Sequence, residues 1–93
     1  MKLRVRLLPA AEKDFEHLLP ADQERIAPML RALGDDPRPL GTKPLKGKLR
    51  GKYRLRVGLW RIVYQVDDNR AEVRIVEVAH RSKVYERAQR KQT

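Results

Sequence analysis

Leu3, Val5 and Leu7 alternate with Lys2, Arg4 and Arg6, the period-two pattern of a strand with one covered face, set at or near a sheet edge. Pro9 closes it. From Ala10 the spacing becomes helical, with Ala11, Phe15 and Leu18 on one side and Glu12, Lys13, Asp14 and Glu16 on the other. Pro20 suits the first turn of a second helix, whose apolar stripe is Ile26, Met29, Leu30 and Leu33 and whose end Gly34 is expected to form as a left-handed cap. Pro28 lies inside that stripe and should kink the helix or delay its start.

Between Gly34 and Lys52 the breakers Pro37, Pro39, Gly41, Pro44, Gly47 and Gly51 forbid a long regular element and predict one extended loop. Three strands are then expected. Tyr53, Leu55 and Val57 alternate with Arg54 and Arg56, and Gly58 turns the chain. Trp60, Ile62, Tyr64 and Val66 alternate with Arg61, Val63 and Gln65, and Asp67-Asp68-Asn69 makes the next turn. Glu72 to Ala79 carries apolar residues at both parities, which reads as a central strand covered on both sides. Val84 to Lys91 suggests a short helical tail. The order β-α-α-β-β-β predicts an α+β fold in one domain over 1–93, with the two helices on one face of a four-stranded, mainly antiparallel sheet.

Charge adds the first hint of a partner. Twenty-two Lys and Arg against twelve Asp and Glu leave a formal +10, and the excess is concentrated: residues 1–33 carry six basic and five acidic side chains, residues 34–93 sixteen and seven. Such a field suits a polyanion. Zero Cys and two His argue against a metal centre or a thiolate nucleophile, and the loop Lys43-Pro44-Leu45-Lys46-Gly47 lacks the spacing of a nucleotide-phosphate loop. No cofactor is expected. The absence of a long apolar run or a signal-peptide core predicts a cytoplasmic chain without a membrane span.

Strand alternation makes the arginines informative. If the helices cover Tyr53, Leu55 and Val57, then Arg54 and Arg56 face the other way, and the same logic sends Arg61 to that open face while Trp60, Ile62 and Tyr64 join the core. Cleaving RNA without a metal requires fixed cations for a pentavalent phosphorane, a proton acceptor for the 2′-hydroxyl and a donor for the leaving 5′ oxygen. Arginine supplies forked donors to phosphate oxygens but does not give up its proton near neutrality. Tyr85 and His80 are therefore the candidates for proton transfer, and Arg81 a further cation. On a regular strand His80 and Arg81 point to opposite faces, which ranks Tyr85 ahead of His80.

These residues carry a family resemblance. Pro37-Arg38-Pro39, Gly41 to Gly47, Gly51 to Gly58, Trp60-Arg61-Ile62-Val63-Tyr64, and Val78-Ala79-His80-Arg81 with Val84-Tyr85 together resemble the RelE/ParE superfamily of type II toxin-antitoxin toxins, over nearly the whole chain. RelE-like members cut messenger RNA in the ribosomal decoding site; ParE-like members inhibit DNA gyrase. Arg81 followed by Tyr85 is the more RelE-like feature. That resemblance implies that Arg54, Arg56, Arg61 and Arg81 hold the scissile phosphate, that Tyr85 or His80 moves protons, and that Lys43, Lys46, Lys48, Arg50 and Lys52 contact RNA or the ribosome. It also implies an acidic antitoxin as partner. Gyrase inhibition, or an inactive homologue that only binds antitoxin and co-represses transcription, are the alternatives.

Overall fold

The computed structural model describes residues 2–80. Strand β1 (Arg4–Leu7) leads through helix α1 (Pro9–Glu16) and helix α2 (Pro20–Asp35) to strands β2 (Lys43–Pro44), β3 (Lys52–Val57), β4 (Trp60–Asp67) and β5 (Glu72–His80). They form one mixed sheet in the order β1-β5-β4-β3-β2, with β1 parallel to β5 and every other pair antiparallel. The expected sheet of four strands therefore gains a fifth: two residues of the breaker-rich loop pair with β3, Lys43 opposite Arg54 and Pro44 opposite Tyr53. Proline is tolerated there because an edge strand has one side without ladder bonds. The rest of that loop is irregular apart from a single 3-10 turn, Gly47–Leu49.

Both helices cover one face. Proline opens each helix at its first turn, where the missing N–H has no intrahelical acceptor in any case. Ala11 of α1 and Ile26, Leu30 and Leu33 of α2 pack against Leu55, Ile62, Tyr64, Val73, Ile75 and Val78 of the sheet, with Trp60, Phe15 and Leu18 at the margin. Met29, expected in the stripe, is instead exposed. Helix α2 also runs unbroken through Pro28, which sits on its exposed side, where water can satisfy the carbonyl that proline releases. Among the described residues no helix is long and apolar enough to cross a membrane.

Gly34 is not the left-handed cap that its position suggested; it lies within α2 and Asp36 follows in an extended conformation. Its function is proximity. A Cβ there would fall 2.6 Å from the Leu3 carbonyl oxygen and 3.2 Å from Val5 Cγ2, and the Leu3 N–H donates to the Gly34 carbonyl at 2.8 Å. Gly34→Ala is thus expected to lower stability by about 1 to 3 kcal/mol, since overpacking outweighs alanine's better helix propensity. A urea midpoint at or above that of the parent would contradict this.

A β-bulge sets the remaining architecture. Val63 pairs with Glu77 but the next residue, Tyr64, pairs with Ile75, so Val76 is an extra residue in β5. Before it, Val73 and Ile75 point to the helices; after it, Val78 does. The apolar residues at both parities of β5 thus reflect a change of phase, and coverage on both sides does not explain them. β5 is an interior strand as expected, while β4 occupies the middle of the sheet.

Candidate anion-binding face

The face away from the helices is built in rows by strand register. One row reads Lys43, Arg54, Val63, Glu77 across β2, β3, β4 and β5; the next reads Arg56, Arg61, Ala79 across β3, β4 and β5. Val63 and Ala79 are 3% and 2% exposed yet stand outside the helix-facing core cluster, so they floor this face with small apolar groups. Arg54, Arg56 and Arg61 stand around that floor, which brings together the three arginines singled out by alternation. Arg56 and Arg61 are direct cross-strand partners, a like-charge pair that works against folding.

Compensation is uneven. At the β1 end of the same face, Arg74 donates to Glu72 at 2.7 Å and to Asp67 at 2.8 Å, and Arg6 lies 3.5 Å from Glu72. The Arg70 backbone N–H, then Arg74, hold the Asp67 carboxyl below its ordinary range; Arg74, then Arg6, do so for Glu72. At the β3 end, Lys43, Lys52, Arg54, Arg56 and Arg61 meet one described carboxylate, Glu77, whose Oε1 is 3.8 Å from Arg61 Nε. The Nε atoms of Arg54 and Arg61 are buried and have no hydrogen-bond acceptor among the described residues. Burial first, then the charges of Arg56 and Arg61, push the Arg54 guanidinium below its ordinary value. Buried donors without acceptors among the described residues, beside an excess of positive charge, suit this half of the sheet to an anion with several oxygens.

The loop contributes in two ways. Tyr64, fully buried, donates its hydroxyl to the Pro37 carbonyl at 2.8 Å and lies 3.3 Å from Thr42 Oγ1. Arg38 donates to Tyr53 Oη at 3.1 Å and to Asp68 at 3.3 Å, its guanidinium 5.3 Å from the centre of the Tyr53 ring. These contacts fix the segment that leads into β2 and so deliver Lys43 opposite Arg54. Lys52 follows the parity of Arg54 on β3, whereas Lys46, Lys48 and Arg50 are exposed on the loop between.

His80 is elsewhere. The phase change at Val76 turns it to the helix side, opposite Trp60, with the two rings 5.1 Å apart and edge to face. There it lines a cavity of about 210 Å³ with Lys13, Asp14, His17, Leu18, Trp60 and Val78. The structure does not bring His80 together with Arg54, Arg56 and Arg61. Arg81 and Tyr85 lie outside the described residues, as does the tail from Val84 to Lys91 expected to be helical. Glu77, by contrast, drew no attention in the sequence because nothing there shows which residue of β4 it faces.

Two helices behind a mixed sheet of five strands match the fold of compact toxins from toxin-antitoxin pairs. Comparison with known proteins narrows it. The family model described as ParE toxin of type II toxin-antitoxin system, parDE, matches residues 5–85. Toxin RelG of Mycobacterium tuberculosis is 33% identical over 94% of this chain and 100% of its own, and Toxin RelE of the same organism is 41% identical over 87% and 84%. The toxin-antitoxin complex RelBE2 of that organism superposes with a TM-score of 0.80 at 29% identity, covering 87% of this chain and 93% of the matched one. The chain belongs to the RelE/ParE toxin superfamily and is a RelE-like member.

Proposed function

We propose that the chain is a ribosome-dependent endoribonuclease that cleaves messenger RNA by attack of a 2′-hydroxyl on the adjacent phosphate, leaving a 2′,3′-cyclic phosphate and a 5′-hydroxyl. The observation that carries this reading is the cluster of Arg54, Arg56 and Arg61 around an apolar floor, with two buried Nε–H groups that have no acceptor among the described residues. A phosphodiester supplies those acceptors. As the phosphorane forms, negative charge grows on its equatorial oxygens, and guanidiniums held by strand register stabilise it without having to reorganise. In this reading Arg81 adds a fourth cation and Tyr85 protonates the leaving 5′ oxygen. The likeness to Toxin RelE and Toxin RelG supports a RelE-like reading over a ParE-like one.

An acidic antitoxin is the partner that this face suits when the toxin is silent, and a solved toxin-antitoxin complex of a relative supports it. The target places the protein in the cytoplasm. Primer extension on mRNA after brief induction is expected to show discrete new 5′ ends within codons; their absence, together with loss of supercoiling activity by purified gyrase, would favour the ParE-like reading. Arg81→Ala and Tyr85→Phe should each slow cleavage on programmed ribosomes about 100-fold. Unchanged rates would remove those two roles.

A further inference from the structure

Resting on that reading, one step still lacks a group: what takes the proton from the attacking 2′-hydroxyl. The arginines cannot, because guanidinium stays protonated near neutrality. The register of the sheet offers an answer, since Glu77 stands in the same row as Arg54 with only Val63 between them. Adjacent strands are about 4.8 Å apart, so residues two strands apart leave roughly 10 Å at the backbone, a gap that a phosphodiester and its ribose fill. Glu77 also approaches Arg61, at 3.8 Å. A carboxylate and a guanidinium on the same side of one gap place a proton acceptor beside a phosphate-oxygen donor.

The bulge makes this arrangement. With Val76 as the extra residue, Glu77 and Ala79 share the face of Arg54 and Arg61 while Val78 enters the core. Bulges are frequent beside active sites because they aim one side chain out of phase with the strand. Among the described residues Glu77 is the one carboxylate on the cation-rich half of this face.

We propose that Glu77 is the general base of the cleavage reaction. Its carboxylate takes the 2′-hydroxyl proton as the O2′–P bond forms and the P–O5′ bond breaks. The Tyr85 phenol gives a proton to the departing 5′ oxygen, and the proton on Glu77 returns to the phenolate through water. Arg61 holds a non-bridging phosphate oxygen and keeps the carboxylate oriented.

The test is single-turnover cleavage of mRNA on programmed ribosomes as a function of pH, with affinity measured in parallel. Glu77→Gln should slow cleavage about 100-fold or more and abolish the fall in rate on the acid side, while binding stays equal or tightens because a negative charge is gone. Glu77→Ala should be equally slow and partly rescued by added formate, which a merely structural carboxylate would not show. If the parent cleaves and Glu77→Gln retains more than a third of its rate with the same acid limb, or if formate does nothing for Glu77→Ala, the assignment is wrong and the nuclease survives. If the parent itself does not cleave, the nuclease reading fails and the assignment with it.

Discussion

Arg61→Ala is expected to slow mRNA cleavage on programmed ribosomes by about 100- to 1,000-fold, the usual loss when one preorganised charge-stabilising donor is removed, or about 3 to 4 kcal/mol of barrier. Arg61 stands on the middle strand, faces Arg56 directly and lies next to Glu77, so of the three described arginines it touches the most of the proposed site. Its buried Nε–H has no hydrogen-bond acceptor among the described residues, and in the proposed complex a phosphate oxygen would supply one. Arg61→Lys should recover only part of the rate, because an ammonium restores charge but not the fork. Folding controls the interpretation: the substitution relieves the like-charge pair with Arg56 and removes the contact with Glu77, opposing effects on a partly exposed face, so the midpoint of thermal unfolding should change little. A cleavage rate within threefold of the parent would show that this face does not bind the scissile phosphate.

Tyr64→Ala should have the largest effect on stability, lowering it by about 3 to 5 kcal/mol, a large share of the 5 to 15 typical for a domain. Tyr64 is the largest fully buried side chain among the described residues, near the middle of β4 within the core cluster, and its ring lies 5.7 Å from that of Tyr53. The ring and the hydroxyl separate cleanly. Tyr64→Phe keeps the packing and loses the hydrogen bond to the Pro37 carbonyl, a change of about 1 to 2 kcal/mol. Burial outweighs the Thr42 hydrogen bond and pushes the Tyr64 phenol up, so it remains a donor across the physiological range. Because that bond ties the chain leading into β2, Tyr64→Phe should also raise amide exchange in 36–44 and weaken RNA binding through Lys43. Urea titrations that give equal midpoints for the parent and Tyr64→Ala would refute the role of this residue as the keystone of packing.

Much of this was legible from spacing. Alternation in 53–57 and 60–66 correctly divided Leu55, Ile62 and Tyr64 from Arg54, Arg56 and Arg61, because a two-residue period leaves no choice of face once the apolar set is buried. The helices were equally readable, as was their place on one side of the sheet. What escaped was whatever depends on pairing between distant segments. Lys43-Pro44 becomes a strand only because β3 offers it an edge, and neither residue favours one on its own. Gly34 resembled a cap in sequence and is a point of close approach in space. That His80 faces the helices and Glu77 the open side was hidden for the same reason: an inserted residue in a strand leaves no trace in its composition.

That insertion also governs how relatives of this toxin should be compared. The two ends of β5 obey opposite rules about which side of the molecule a given position occupies, and the rule changes at one valine. A homologue lacking one residue near that point could preserve every letter of the acidic and histidine positions in a gapped alignment and still present them to reversed surroundings. Conservation scores summed along the strand would miss this, whereas counting from the change of phase outward in each direction keeps equivalent positions together.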